Sequence, residues 1–429
     1  MVKSREIGKD VDRPVFFYGW TIVAISMTGM VLIYGIRHSF PVFFSSILAE
    51  FSWTRADISL MFSFNVLIYG FSAPVSGYLA EQWNPKRMMI LGIFMLSGVT
   101  AACSLAKELW HFYLLFGMMV SLGSALCGWP VIAPTLMKWF IRRRGLALGL
   151  VQLGAGLSFV YGIFVGWVIR CFGWRVTFLI LSVLLLSVLL PLYLLYFHFR
   201  PQQIGLQPYG SAELLSGSQS NSVYRDFEEA HWTLERMLRS PRLWLLITSY
   251  ALFWGVGAYA VIAHQIKFIE DAGFSNSFAV FIFAVMGSSI MLGQVSGFLS
   301  DRIGREKTGS LAALLCIIGL LVLIDVRKPS QSSLLYVHAL FFGYGAGLFT
   351  PTIFAGAADI FFGRSFGPAA GLILTGMGIG GVIGPWMAGY LFDLSGTYTS
   401  AFILCIFCIC LASVSFWIAS PRKCGHPRI

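Results

Sequence analysis

Long apolar runs recur along the whole chain and are separated by short polar connections. Twelve of these runs approach the roughly 20 residues that a helix needs to cross a bilayer. They are centred near residues 17–38, 57–79, 88–106, 111–137, 146–169, 174–197, 243–266, 277–299, 308–324, 334–358, 367–391 and 398–419. The pattern predicts an all-α membrane protein with one bundle of six helices in residues 1–197, a polar linker in residues 198–242, and a second bundle of six in residues 243–429.

The second half of the chain repeats glycine positions of the first half. Four glycines around the fifth predicted helix have counterparts 222 residues later: Gly145, Gly149, Gly154 and Gly156 match Gly367, Gly371, Gly376 and Gly378. A second repeat, at an offset of 220, pairs Gly77-Tyr-Leu-Ala-Glu81 with Gly297-Phe-Leu-Ser-Asp301. Duplicated membrane halves favour a transporter, because two similar bundles can rock against each other around a site between them.

The composition indicates that lipid is the solvent of this chain. Hydrophobic residues make up 57% of it and charged residues only 11%, against roughly 25% charged in ordinary soluble domains. Most of the 30 Lys and Arg residues fall in predicted connections on the side of both termini. Cytoplasmic loops carry such an excess, so the sequence predicts a multi-pass protein of the cell (inner) membrane with a cytoplasmic linker and both termini cytoplasmic. This distribution accounts for the basic charge without nucleic acid.

The repeated loop carries a recognisable pattern. Its second copy, Gly297-Phe-Leu-Ser-Asp-Arg-Ile-Gly-Arg305, resembles the loop that follows helices two and eight in the major facilitator superfamily. In the first copy, glutamate replaces the aspartate and Asn84 replaces the second glycine. The resemblance implies that the charged residues of both copies take part in gating, the alternative being ordinary loops that anchor helix ends. These residues are Glu81, Arg87, Asp301, Arg302 and Arg305.

An ordered set of motifs over nearly the whole chain resembles the monocarboxylate transporters and the bacterial oxalate/formate-type carriers. The motifs are Gly19-Trp20, Phe51-x-Trp-Thr-Arg55, Arg143-Arg-Gly-Leu-Ala-Leu-Gly149 and Phe172-Gly-Trp-Arg175. This resemblance implies the major facilitator fold, with twelve helices in two six-helix bundles, and transport by alternating access through a central site.

Polar groups inside the predicted spans are candidates for the substrate site, because a charge at the bilayer centre costs roughly 2.5–3.5 kcal/mol or more. Arg37 and His38 lie in the first span, one turn beyond Tyr34, which is a further substrate candidate. Arg37 either supplies a fixed positive charge or extends to the outer interface. His38 either takes up a proton, since the reference pKa of His is about 6.5, or caps a helix end. Alignment with the family places His38 where animal monocarboxylate transporters carry a proton-binding lysine.

The seventh span carries a polar and aromatic stripe. Helical spacing places Tyr250, Trp254, Gly257, Val261 and His264 on one face. Trp254 of this stripe is a candidate for substrate contact. His264 is a candidate for substrate or proton contact, with a hydrogen bond between helices as the alternative. Further substrate candidates, each with a contact between helices as the alternative, are Asn65, Tyr69, Trp129, Gln152 and Tyr344.

The chain departs from the monocarboxylate pattern in the eighth span. Gln294 and Ile290 occupy the positions where that family carries an arginine and an aspartate. In addition, residues 367–391 contain no counterpart of the lysine that the oxalate carrier uses in helix eleven. The family's anion clamp is therefore incomplete, and Gln294 is interpreted as a neutral hydrogen-bonding group in the substrate site.

The sequence therefore predicts a secondary active transporter for a small organic anion, monocarboxylate-like and with a proton as candidate coupled ion, working as a monomer. The alternative within the same class is an uncoupled facilitator or exporter of a neutral or amphipathic solute. A channel or a non-transporting membrane sensor is the alternative from another class. The spans contain no His, Asp and Glu cluster typical of an enzyme. Cys405-Ile-Phe-Cys408 lacks a second ligand pair, so no metal or cofactor is predicted.

Overall fold

Twelve membrane-spanning helices follow one another along the described part of the chain, in a computed structural model that describes residues 17–51, 53–141, 143–211, 234–361 and 366–419. They are α1 (Gly19–Glu50), α2 (Arg55–Gln82), α3 (Pro85–Cys103), α4 (Leu109–Trp139), α5 (residues 144–172), α6 (residues 174–195), α7 (Pro241–Asp271), α8 (Asn276–Ile303), α9 (Arg305–Ile324), α10 (Pro329–Ile360), α11 (Phe366–Ser395) and α12 (Thr399–Ala419). The predicted all-α class and the twelve spans are confirmed.

The boundary between α5 and α6 is a single residue. Gly173 has φ +78° and ψ 164° inside an otherwise continuous helical stretch, a conformation that glycine adopts readily because it has no Cβ atom. The chain reverses there without a loop. The predicted division between the fifth and sixth apolar runs falls at this residue.

The glycine repeat corresponds to equivalent helix contacts in the two halves. Gly154 of α5 lies against the backbone of α1, and its counterpart Gly376 of α11 lies against the backbone of α7. Gly156 lies against α8, while Gly378 lies against Gly70 of α2. A side chain at any of these positions would meet its neighbour closely, so the glycines permit tight packing within and between the halves. The two halves meet along α2 with α11 and along α5 with α8.

Two helices in the described part of the chain contain π-helical segments. Residues Tyr113–Met119 of α4 and Ala251–Ala258 of α7 have the wider turn. Such segments are common at functional sites and shift the register of all later side chains. The predicted stripe on the seventh span assumed a continuous α-helix, and the π segment interrupts it: Gly257 lies against Ile409 of α12.

The start of the linker packs onto the connection between α4 and α5. Tyr209 donates its backbone N–H to the Trp139 carbonyl at 2.8 Å, and its own carbonyl accepts from Ile141 at 3.0 Å. The Trp139 indole donates to the His198 carbonyl at 2.8 Å. Residues 212–233 of the predicted linker, and both basic terminal tails, lie outside the described residues.

Candidate functional site

The candidate site begins at an interruption of α1. The helical segment Gly19–His38 ends at Ser39, and a second segment starts at Phe40 with a proline in its first turn. Proline has no backbone N–H and disrupts helical hydrogen bonding at such a point. Arg37 and His38 are therefore the last residues of the first helical segment, directly before the interruption at Ser39.

Arg37 is buried, with 1% of its surface exposed, and it contacts three of the predicted polar residues. Its Nε donates to Oδ1 of Asn65 at 2.7 Å. Its Cζ lies 4.1 Å from the centre of the Tyr69 ring and 5.4 Å from that of Tyr34. The two tyrosine hydroxyls are joined by a hydrogen bond of 2.6 Å. The structure thus brings together Arg37, Tyr34, Asn65 and Tyr69, which the sequence singled out separately.

Asn65 is fixed in place by a further bond. Its Nδ2 donates to the carbonyl of Phe116 at 2.8 Å, and Phe116 belongs to the π-helical segment of α4. A π segment leaves some carbonyls without their usual helical partner. The amide oxygen of Asn65 is therefore presented towards Arg37 by a backbone irregularity in the neighbouring helix.

The guanidinium of Arg37 has no anionic partner in the described part of the chain: no carboxylate lies within ion-pair distance of it. Of its five N–H donors, only Nε–H has an acceptor among the described residues. A buried charge without a counterion is costly. The two aromatic rings compensate in part, since a cation above an aromatic face gains about 0.5–2 kcal/mol. The arrangement leaves positive charge and hydrogen-bond donors for an anion.

The second half of the chain contributes aromatic groups to the same region. Tyr259 of α7 lies edge-on to Phe62 of α2 at 5.5 Å between ring centres, and Phe62 stacks on Phe40, three residues after Arg37, at 5.1 Å. Trp254 lies 5.8 Å from the Tyr259 ring, and its buried indole N–H has no hydrogen-bond partner among the described residues. The sequence pattern did not predict Tyr259, because this residue follows the π segment and lies outside the predicted stripe.

His38 points towards α5. Its Nδ1 is 2.6 Å from Oγ of Ser158, and its ring stacks on Phe159 at 4.2 Å between centres. Phe159 in turn contacts Phe283 of α8 at 5.3 Å. His38 therefore connects Arg37 to the contact between α5 and α8, where the two halves meet. Ser158 was not predicted, since a single serine in an apolar helix gives no pattern of its own.

His264 lies in a different set of contacts. Its Nε2 is 2.9 Å from the carbonyl of Pro385, and because a carbonyl only accepts, Nε2 carries the hydrogen. Its Nδ1 is 3.1 Å from the hydroxyl of Tyr398. Burial raises the pKa of the Tyr398 phenol, so the hydroxyl keeps its proton and donates it to Nδ1. Both ring nitrogens are used in this conformation.

The Tyr398 hydroxyl also contacts a charged group at the outer end of the protein. The outer end is the end opposite the termini. The hydroxyl accepts from Arg55 at 2.9 Å, and Arg55 forms an ion pair with Asp271 of α7. Asp393 of α11 accepts the backbone N–H of Ala56 at 2.9 Å. Arg55 and Ala56 belong to the first half and their partners to the second. The outer ends of α2, α7 and α11 are therefore joined across the interface.

The remaining substrate candidates lie nearer the other end of the helices. Gln294 is one turn beyond Met291, which contacts Gly156, and Gln152 is one turn before Gly156 on α5. The Gln294 Oε1 is buried without a partner among the described residues. Tyr344 contributes its carbonyl to a close approach with Gly293. No contact joins these three side chains to the Arg37 group in the described part of the chain.

The charged loop after α8 forms a compact ion-pair group within the second half. Arg305 pairs with Asp301, and its Nε donates to Asp359 of α10 at 2.8 Å. Arg302 is exposed and lies over the Phe298 ring, 5.5 Å from its centre. In the first copy, Arg87 is exposed, and the side chain of Glu81 lies outside the described residues. The second copy therefore ties α8, α9 and α10 together.

Comparison with known proteins gives consistent results. The family model described as Major Facilitator Superfamily matches residues 20–337 and 292–427. Monocarboxylate transporter 13 of Bos taurus is 26% identical over 389 residues, covering 90% of this chain and 86% of its own length. Monocarboxylate transporter 12 of Homo sapiens is 26% identical over 413 residues, covering 92% of this chain and 79% of its own length.

Solved structures show the same fold at lower sequence identity. A bacterial homologue of the human lysosomal transporter Spinster, in an inward-facing and unoccupied conformation, superposes with a TM-score of 0.71 at 18% identity, covering 96% of this chain and 99% of the other. The inward-facing, occupied form of that homologue gives a TM-score of 0.69 at 17% identity, covering 96% and 99%.

Proposed function

Since this chain belongs to the major facilitator superfamily and is a membrane transporter related to monocarboxylate transporters rather than an enzyme, we propose that it carries a small organic anion by alternating access. The observation that carries the proposal is the buried guanidinium of Arg37, which lacks a carboxylate partner among the described residues. A carboxylate fits this group because two N–H donors of Arg can bind both carboxylate oxygens at once. The anion binds as a monocarboxylate-like group on Arg37.

The surroundings of Arg37 assign roles to the other candidates. The rings of Tyr34 and Tyr69 lie beside the guanidinium and stabilise its charge. Trp254 and Tyr259 form the wall contributed by the second half, and the Trp254 N–H supplies a donor. Because the wall and the charge come from opposite halves, substrate binding draws the halves together around the anion.

Proton coupling is proposed to run through His38, which precedes the α1 break directly after Arg37. Two adjacent cations repel each other, so an anion that neutralises Arg37 makes it easier for His38 to take a proton. By linkage, the protonated His38 then strengthens binding of the anion to the same extent. The arrangement therefore favours joint movement of one anion and one proton. His264, held on both nitrogens at the outer end, is the second candidate.

The pH dependence of uptake tests this coupling. We expect His38→Gln to retain anion binding but to flatten the pH dependence of uptake, because the variant has no imidazole to take up the coupled proton. His338→Gln, at a buried histidine bonded to the Gly319 carbonyl in the second half, is the matched control and should keep the wild-type profile. An unchanged profile in His38→Gln moves the role to His264, and an unchanged profile in the double variant with His264→Gln refutes coupling by histidine.

A second candidate function is an uncoupled facilitator or exporter of a neutral or amphipathic solute. It is favoured by Gln294, which replaces the arginine of the monocarboxylate family with a neutral amide, and by the aromatic wall of Trp254 and Tyr259. A channel or a sensor is the remaining alternative. We further propose that both termini and residues 198–242 lie in the cytoplasm, because most basic residues are on their side, and that the protein works as a monomer, because one chain contains both halves of the site.

Counterflow in proteoliposomes tests the proposed function. Vesicles loaded with millimolar unlabelled monocarboxylate should transiently accumulate labelled monocarboxylate from outside, because a carrier must return its site across the membrane. A channel gives no transient accumulation, and a sensor gives no uptake. If a neutral solute shows counterflow and no carboxylate of a tested panel does, the protein is a facilitator of neutral solutes instead.

A further inference from the structure

A groove on the lipid-facing surface lies between α9 and α12, away from the central site. It encloses about 550 Å³. Apolar side chains line most of it, and hydroxyl and indole groups lie at one end. The lining residues are Ser310, Ala313, Leu314, Ile317, Cys410, Ser413, Val414, Trp417 and Ile418.

The polar groups of the groove form one connected set. The Trp417 indole donates to Oγ of Ser310 at 2.7 Å, and Oγ of Ser310 lies 3.3 Å from Oγ of Ser413. One of the two hydroxyl hydrogens lies in the bond between Ser310 and Ser413. The other hydroxyl hydrogen can therefore be donated to a different acceptor. Ser310 lies near the start of α9 and Trp417 near the end of α12, so this polar set is at the end of the groove on the side of the termini.

A positive charge stands at the same end. Lys307 is exposed on α9, three residues before Ser310 and seven before Leu314, which places the three side chains on one face of the helix. In the described part of the chain no carboxylate lies within ion-pair distance of Lys307. Its charge is therefore available to a phosphate group at the membrane surface.

The length of the groove matches one leaflet. From residue 307 to residue 317, a helix rises about 15 Å, which is about half of the roughly 30 Å hydrocarbon core. The polar end lies at the ends of α9 and α12 on the side of the termini, and the apolar end, at Ile317 and Cys410, lies near the middle of these two helices. Basic residues beside a pocket between helices on the cytoplasmic side are suited to anionic headgroups.

We propose that this groove binds one anionic phospholipid of the leaflet on the side of the termini. The phosphate lies between Lys307 and the hydroxyls of Ser310 and Ser413. One acyl chain runs along Leu314 and Val414 towards Ile317. The site is separate from the Arg37 group and does not depend on the transported substrate.

Lipid retention by the purified full chain tests this site. Native mass spectrometry should show phosphatidylglycerol retained more strongly than phosphatidylcholine with the same acyl chains, by at least about fivefold. Lys307→Gln should abolish this preference, because it removes the charge. Leu314→Trp should reduce retention of both lipids by filling the groove.

Two matched controls make the result decisive. Leu321→Trp adds the same indole to an exposed position of α9 that does not line the groove, and Lys107→Gln removes an exposed lysine at the opposite end of the membrane. Equal retention in Leu314→Trp and Leu321→Trp, or an unchanged preference in Lys307→Gln, overturns the proposal. A dimer that only Leu314→Trp dissociates, with lipid retention unchanged, would assign the groove to a second copy of the chain. Lys307→Gln is at the surface and decides the matter if Leu314→Trp does not fold.

Discussion

Arg37→Gln is expected to raise the dissociation constant for a carboxylate by about 10- to 150-fold. A hydrogen bond to a charged group contributes roughly 1.5–3 kcal/mol, and each 1.4 kcal/mol is a factor of ten. The glutamine can still reach Asn65, which accepts from Nε in the wild type at 2.7 Å. The variant should therefore fold, since it also removes a buried charge that has no anionic partner among the described residues. Isothermal titration of the purified protein with short-chain monocarboxylates measures the change.

The control for this variant is Arg327→Gln, the same substitution at an exposed arginine at the outer end of the membrane. It should leave the dissociation constant unchanged. The salt dependence gives a second readout, because binding to a fixed charge weakens as ions screen it and this dependence should diminish in Arg37→Gln. If Arg37→Gln binds a carboxylate as tightly as the wild type, Arg37 is not the anion site, and the neutral-solute facilitator becomes the better proposal.

The positions of the helices could be predicted because each apolar run is about as long as the bilayer is thick. The most difficult boundary was Gly173, where two helices meet without a loop, and the apolar pattern still showed two runs of full length. The glycine repeat was equally informative. Small residues at fixed spacing allow close helix contact, and the two copies make equivalent contacts in the structure.

The candidate site was partly predictable for a different reason. Polar side chains in lipid cost free energy, so the spans contain few of them and each can be considered in turn. Four of these residues do lie together in the structure: Arg37, Tyr34, Asn65 and Tyr69. Their common location depends on which helices are neighbours, and no single helix encodes that. The sequence could name these residues but could not group them.

Tyr259 and His264 show the limit of reasoning from periodicity. Both follow the π segment Ala251–Ala258, whose wider turn rotates later residues away from the positions that an α-helix would give them. Tyr259 consequently faces Phe62 and the Arg37 region, whereas His264 faces Pro385 and Tyr398. The contacts of His264 make it a link between α7 and α11 beneath the outer charged group.

Arg55→Ala is expected to open the outer end of the protein about 30-fold more often. Arg55 bridges the two halves through Asp271 and the Tyr398 hydroxyl, and its Cζ lies 3.7 Å from the centre of the Phe392 ring. The side chain of Arg55 is 13% exposed and that of Asp271 is 30% exposed. The free energy lost on removing this ion pair therefore lies between the values for a surface pair and a buried pair, at about 2 kcal/mol. Asp393 still accepts the backbone N–H of Ala56, which keeps the outward-closed state populated.

Labelling of a cysteine placed beneath the charged group measures this opening. Phe44 is fully buried and contacts the His264 ring at 5.3 Å, so Phe44→Cys in a Cys171→Ser background should react slowly with a membrane-impermeant maleimide added outside cells. Arg55→Ala should raise the rate by about 30-fold. Arg175→Ala should not, because Arg175 pairs with Glu50 inside the same half at the same end of the membrane. In the unmodified protein the exposed Cys171, two residues before Gly173, should react from outside. If Cys171 reacts only in inside-out vesicles, the orientation is reversed. Equal rates in Arg55→Ala and Arg175→Ala would show that the ion pair across the interface does not hold the outer end closed.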